Sequence, residues 1–256
     1  MSEQIWTTVL RPTRHTPRGR VVAVPHSGAG PNALLPLLAR LPSDVEVVGV
    51  TLPGRERRYG ESFDRLPEDP RAVVDAVRGE LDAAPRLPTV LFGHSMGAAF
   101  AATLAVRAPA LCQGLVLSSL ARSGSASEPP EHPTEADVLD VVRMGGGTPE
   151  EFLLEAGLRA HLLGLLVCDL TLGRRLVALS AGRPLPVPPV VLGGRDDKLV
   201  APEDLADWSG TGSGTARTRL FPGGHFYLLD EANLDAVAAE LTTALPGRPT
   251  GTGPHP

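Results

Sequence analysis

Cysteine is nearly absent from this sequence: Cys112 and Cys168 are its two copies, each inside an apolar run. That excludes a disulfide framework, and no Cys/His cluster has zinc-ligand spacing, so both read as buried reduced thiols. Positive charge is not in excess either. Against 29 Asp and Glu stand 24 Lys and Arg, a net charge of −5, which argues against a nucleic-acid partner. Residues 1–14 lack an apolar core of signal-peptide length, and no apolar run approaches a membrane span. With no membrane partner implied, a cytoplasmic protein is expected. Internal repeats are missing too, which removes repeat architectures.

What is present is globular in composition, 42% hydrophobic and 21% charged residues over 256 positions. That length suits one large domain, expected over 1–246. The 28 Gly and 26 Pro cluster in loops and at the C-terminus, where 247–256 reads as a disordered tail.

Short β-branched runs alternate with helical patterns. Strands are expected at about 20–25, 45–52, 90–92, 115–117, 187–192 and 218–221, with helices at about 32–41, 68–84, 96–107 and 231–245. Val73, Val74, Val77 and Leu81 share one face of the second helix. Such alternation specifies an α/β fold, a mostly parallel central sheet with helices on both faces. One stretch, about 123–181, breaks the pattern. A polar Pro/Ser-rich connection over 123–133 leads into helical pieces at about 135–143, 150–157 and 158–181. An insertion of this size is expected to form a lid over the C-terminal edge of the sheet, where open α/β folds bind ligands.

The chemistry starts at Gly93-His94-Ser95-Met96-Gly97, between a buried strand and a small-residue helix. A bare G-x-S-x-G is weak, but this context makes it a nucleophile elbow of the α/β-hydrolase kind. The two glycines clear a sharp strand-to-helix turn, and Ser95 sits beside free N–H groups at the helix start. Serine needs a base, and in this fold the partners follow in the order Ser, Asp, His. His225, in Pro222-Gly223-Gly224-His225-Phe226, follows the last strand. His15, His132 and His255 lie in termini or linkers, His161 lies in the helical insertion, and His26 and His94 precede the serine. The acid belongs after the penultimate strand, where Gly193-Gly194-Arg195-Asp196-Asp197-Lys198-Leu199-Val200 offers two candidates. Asp197 is preferred on its Asp-x-x-Val pattern, leaving Asp196 as a turn residue; its task is to hold the His225 tautomer. For the oxyanion, the backbone N–H of Met96 is one donor. The turn Pro25-His26-Ser27-Gly28-Ala29-Gly30 supplies the other: Ser27 by choice, His26 or Gly28 if the register differs. The same turn fails as a dinucleotide fingerprint because its third glycine is missing.

Together these residues resemble the type II (editing) thioesterases of polyketide synthase and nonribosomal peptide synthetase pathways. The likeness runs from about 20 to 245. It rests on Pro25-His26-Ser27-Gly28, Leu52-Pro53-Gly54-Arg55-Glu56-Arg57-Arg58, the serine motif, Gly194-Arg195-Asp196-Asp197 and Gly223-Gly224-His225-Phe226. Gly145-Gly146-Gly147-Thr148-Pro149-Glu150 and Cys168-Asp169-Leu170 look like the family's lid region. The resemblance implies hydrolysis of acyl thioesters held on the phosphopantetheine arm of an acyl or peptidyl carrier protein. It implies no metal and no bound cofactor, since the phosphopantetheine belongs to the partner. Arg55, Arg57 and Arg58 read either as a solvated charged loop or as residues that order the site's rim or meet an acidic carrier protein. Other readings stay open: a stand-alone carboxylesterase or lipase on oxygen esters, an offloading macrocyclase, and a non-catalytic hydrolase-like binding protein.

Overall fold

The computed structural model describes residues 5–14, 16–63, 66, 69–122, 133–147, 154–208 and 214–246. The β-branched runs become strands β1 (Thr7–Arg11), β2 (Gly19–Val24), β3 (Val45–Val50), β4 (Thr89–His94), β5 (Gly114–Ser118), β6 (Val190–Gly194) and β7 (Arg217–Phe221). They form one sheet in the order β1-β3-β2-β4-β5-β6-β7. All neighbours pair in parallel except β1, which runs antiparallel along β3 at the edge.

Both faces of the sheet are apolar, as a parallel sheet requires, and strand alternation deals the side chains to two layers. Val22, Val24, Leu91, Leu115 and Leu117 face one layer, while Val21, Ala23, Val90, Phe92 and Val116 face the other. The first layer is covered by α2 (Pro70–Ala83), α3 (Met96–Arg107) and α5 (Ala156–Ser180). The second is covered by α1 (Leu35–Leu38) and α6 (Glu231–Thr243). The remaining helix, α4 (Glu135–Gly145), places Val138 and Val142 against Leu163 and Leu166 of α5. Successive connections run outward in opposite directions from β2 and β4. The crevice at their C-terminal ends is thus the topological switch point, where this architecture binds ligands.

The expected helix at 32–41 is a 3-10 turn (Pro31–Leu34) followed by the four residues of α1. Pro36 has no N–H with which to carry an α-helical ladder through the segment. Similarly, β6 starts at Val190 and not at 187, because Pro188 and Pro189 cannot donate to a neighbouring strand. The second helix begins at Pro70 behind Asp69, whose side chain accepts the Arg71 N–H. The third helical piece of the insertion is α5, which starts at Ala156 because the Glu155 carboxylate takes the N–H groups of Gly157 and Leu158. Residues 123–132, residues 150–153 of the piece at 150–157 and the tail at 247–256 lie outside the described residues. Cys112 is buried and Cys168 half-buried, and neither forms a disulfide. No helix among the described residues is long and apolar enough to cross a membrane.

β1 is the element that sequence reading missed. Its five residues show no buried face, and its hold on the fold is tertiary. Glu80 of α2 accepts the N–H of Trp6 at 2.7 Å, the N–H of Thr7 at 2.8 Å and the Thr7 hydroxyl at 2.6 Å. Arg58 lies over the Trp6 ring at 4.3 Å. Replacing Glu80 with Ala leaves three donors without an acceptor and is expected to cost about 1–3 kcal/mol. Amide exchange at residues 7–11 should accelerate well before the sheet centre. Unchanged exchange there would show that Glu80 does not hold the strand.

Candidate active site

β4 ends at His94 and α3 begins at Met96, so the chain turns at Ser95 alone. Its φ of 54° and ψ of −121° are strained for a non-glycine residue, at a cost of about 1–3 kcal/mol. The surroundings enforce the turn. The Ser95 N–H donates to the Ser118 carbonyl at 2.8 Å. A Cβ on Gly93 would lie 1.9 Å from the Gly97 carbonyl oxygen, and one on Gly97 would lie 2.1 Å from that of Val24. Both positions therefore require glycine. Met96 opens α3, where a first-turn N–H has no partner within the helix.

The loops after β6 and β7 bring the other two residues together. His225 Nδ1 lies 2.8 Å from Asp197 Oδ2, with both side chains buried. The other Asp197 oxygen accepts the N–H groups of Leu199 (2.9 Å) and Val200 (3.1 Å), so the Asp-x-x-Val segment folds back onto its own carboxylate. Burial alone would raise the Asp197 pKa; the bond and charge of His225 with these two N–H groups outweigh it and hold the carboxyl below its ordinary value. The neighbouring Asp196 is exposed and meets the His225 loop only through its backbone, donating to the Gly223 carbonyl at 3.0 Å.

Ser95 and His225 line one cavity of about 170 Å³ together with His26, Ser27, Gly28 and Phe226. Val142 of α4, Leu162, Leu166 and Leu170 of α5, and Leu199 make the rest of it mainly apolar. At the turn after β2, the Gly28 N–H is bonded to Asp169 Oδ2 at 2.7 Å. Of the three residues considered there as donors, Gly28 is thus already committed.

A family model described as the thioesterase domain matches residues 19–245. The chain belongs to this thioesterase family. It is 32% identical over 238 residues to the probable cadicidin biosynthesis thioesterase of Streptomyces griseus, covering 88% of this chain and 62% of that protein. To thioesterase TesA of Mycobacterium marinum it is 29% identical over 235 residues, covering 85% and 87% of the two chains. Among solved structures it resembles the type II thioesterase BorB from the borrelidin biosynthetic cluster. That match has a TM-score of 0.72 at 28% identity, over 94% of this chain and 99% of the other. With the sheet described above, these likenesses establish the α/β-hydrolase fold of a hydrolase acting on thioesters.

In this thioesterase the arginine segment is not a solvated loop. Arg55 and Arg58 are 4% and 2% exposed, and only Arg57 of the three faces outward. Arg55 forms a two-pronged pair with the fully buried Asp169 of α5. Arg58 donates to the Thr51 carbonyl and to Glu61. His161, set aside in the sequence as part of the insertion, joins the same loop to α5, its Nε2 lying 2.9 Å from the Gly54 carbonyl.

The histidines that precede the serine, excluded as bases by their order in the sequence, pack beside the site. His94 Nδ1 lies 2.9 Å from Ser118 Oγ, which lies 2.7 Å from the Tyr227 hydroxyl, a buried chain under the elbow. The rings of His94 and His225 are 4.9 Å apart, and Phe226 packs edge-on against His26, His94 and His225. Nothing in the one-dimensional pattern marks such a cluster, because it gathers residues from four strand ends. Burial, then the charges of His225 and Arg55, lowers His26 from 6.5 to about 4; burial first and the neighbouring histidines second push His94 far down as well. Below pH 6.5 the unfolded chain therefore takes up a proton that folded His26 refuses until about pH 4. Stability is lost as the pH falls through that window, by about 3 kcal/mol from His26. Thermal unfolding followed between pH 7 and 4 should show this slope, and His26→Asn should flatten it. Equal slopes in the two proteins would refute the assignment.

Proposed function

We propose that this thioesterase hydrolyses acyl groups from the phosphopantetheine arm of acyl or peptidyl carrier proteins, clearing stalled or aberrant units during polyketide or nonribosomal peptide assembly. The observation that carries this reading is the bonded His225–Asp197 pair opening, with Ser95, into one small apolar cavity. Relatives named for cadicidin and borrelidin biosynthesis support the setting.

Ser95 Oγ attacks the thioester carbonyl while His225 Nε2 accepts its proton; Asp197 keeps the other ring nitrogen protonated and stabilises the imidazolium. The carbonyl oxygen, now negative, rests on the N–H groups of Met96 and Ser27. Collapse expels the pantetheine sulfur, which takes the proton from His225, and leaves an acyl ester on Ser95. Water then attacks that ester, giving its proton to His225. The second collapse returns the proton to Ser95 Oγ and releases the acid. A thiolate leaves more readily than an amine, so this cycle asks less of the general acid than peptide hydrolysis does. No metal or bound cofactor takes part. In this reading Arg57, the exposed member of the arginine segment, meets an acidic carrier.

The test compares kcat/KM for acetyl- and propionyl-carrier proteins with that for p-nitrophenyl esters. Carrier-bound thioesters should be favoured, and a strong preference for the oxygen esters would overturn the reading. Ser95→Ala should abolish both turnover and fluorophosphonate labelling. Asp197→Asn, which leaves the His225 tautomer unsupported, should lower kcat by about 10⁴. Labelling that persists without Ser95 would remove it as the nucleophile.

A further inference from the structure

Asp169 sits in the interior of α5 with no exposed surface, yet its carboxylate reaches across to two other segments. Arg55 Nη1 donates to Oδ2 at 2.5 Å, Arg55 Nη2 donates to Oδ1 at 2.8 Å, and the Gly28 N–H donates to Oδ2 at 2.7 Å. Arg55 then extends to the same turn, its Nη1 donating to the Ala29 carbonyl at 3.3 Å, while its Nε donates to Pro53 at 3.3 Å. The turn after β2 is thus held at two consecutive residues, by an N–H taken up at Gly28 and a carbonyl bonded at Ala29. Gly28 has a φ of +81°, and a Cβ there would meet Leu166 at 3.1 Å and Leu162 at 3.4 Å, so turn and helix are in close contact.

We propose that Asp169 and Arg55 are positioning residues for the oxyanion: by fixing the Gly28 peptide they aim the preceding Ser27 N–H at the space before Ser95, and they tie that aim to the seating of α5. The inference rests on the reading of Ser27 and Met96 as the oxyanion donors. Its physical basis is twofold. The Gly28 N–H belongs to the peptide joining Ser27 to Gly28, so directing it into α5 sets the plane of that peptide and limits how the Ser27 N–H can turn. The second point is charge. An unbalanced carboxylate behind the turn would oppose the negative charge that develops on the substrate oxygen, and the Arg55 guanidinium cancels it. The field of Arg55 does reach this turn, since it contributes to holding His26 low. A merely structural ion pair could be exchanged for apolar side chains at little cost, whereas the Gly28 N–H would still need an acceptor.

The experiment uses the full chain and its Asp169→Asn and Arg55→Lys variants. It measures hydrolysis of propionyl-N-acetylcysteamine, a thioester too small to engage a carrier-docking surface. In parallel it measures binding of a trifluoromethyl ketone analogue, which adds to Ser95 as a tetrahedral oxyanion, and of the matching methyl ketone, which binds as a ground-state mimic. For Asp169→Asn, kcat should fall about tenfold or more with KM nearly unchanged, and the fluorinated ketone should weaken by the same factor. Affinity for the methyl ketone should stay as it was. Arg55→Lys keeps the charge but not the two-pronged grip, so it should lose less in the same direction, and it carries the comparison alone if Asp169→Asn does not fold. Unchanged affinity for the fluorinated ketone, or equal weakening of both ketones, would overturn the inference. If the parent chain forms the fluorinated adduct but hydrolyses no thioester, the proposed reaction falls while the ketone ratio still decides the role of Asp169.

Discussion

The backbone contact between α3 and the sheet is the constraint on which the rest of the site depends. With a Cβ on Gly93 or Gly97 placed 1.9 and 2.1 Å from a carbonyl oxygen, no other residue allows the helix to approach this closely. If α3 moved outward, the Met96 N–H would leave the crevice and Ser95 would lose the bond from its N–H to Ser118. The strain at Ser95 persists because everything following it in α3 is fixed. The helix is buried from Met96 to Ala105, and half of that stretch is alanine, which loses no side-chain entropy on packing.

The same device recurs where His225 and Asp197 meet. A Cβ on Gly194 would lie 2.2 Å from the Gly224 carbonyl oxygen and 2.5 Å from that of Gly223, so the loops after β6 and β7 touch backbone to backbone. Arg195 and Asp196 donate across this contact to Phe221 and Gly223. The β6–β7 register, which pairs Gly194 with Phe221, therefore fixes where Asp197 and His225 begin, and their hydrogen bond follows from strand pairing more than from side-chain flexibility. Chemistry assembled on strand ends inherits the rigidity of the sheet.

How far the sequence could be read follows from these contacts. The elbow was legible because G-x-S-x-G between a β-branched run and an alanine-rich run has few other physical uses. Asp197 was preferred over Asp196 for the apolar residue three positions on; in the fold Val200 is buried and its N–H bonds the Asp197 carboxylate. β1 was not legible: its anchor is Glu80, more than seventy residues away, and its own five residues alternate too briefly to declare a face. Proline accounts for the displaced ends of α1 and β6 through N–H groups it lacks, a local cause that a search for apolar periodicity passes over. The pairing of Arg55 with Asp169 was illegible for a different reason. A charged residue in a sequence is by default a solvated one, and only the approach of α5 to the loop at 53–58 turns these two into a buried pair.

That pair bears on how α5 can behave. Its later half belongs to the core: Leu172 and Leu176 are buried, the Leu176 carbonyl accepts from Thr103, and Gly173 lets Met96 pack within 3.1 Å of where a Cβ would be. The part over the cavity packs Leu163 and Leu166 on α4 and adds polar contacts, His161 to Gly54 and Asp169 to Arg55 and Gly28. Apolar contacts weaken gradually with distance, whereas a buried ion pair pulled apart without water leaves two uncompensated charges. Lifting α5 from the cavity therefore costs the separation of this pair unless water reaches both Asp169 and Arg55.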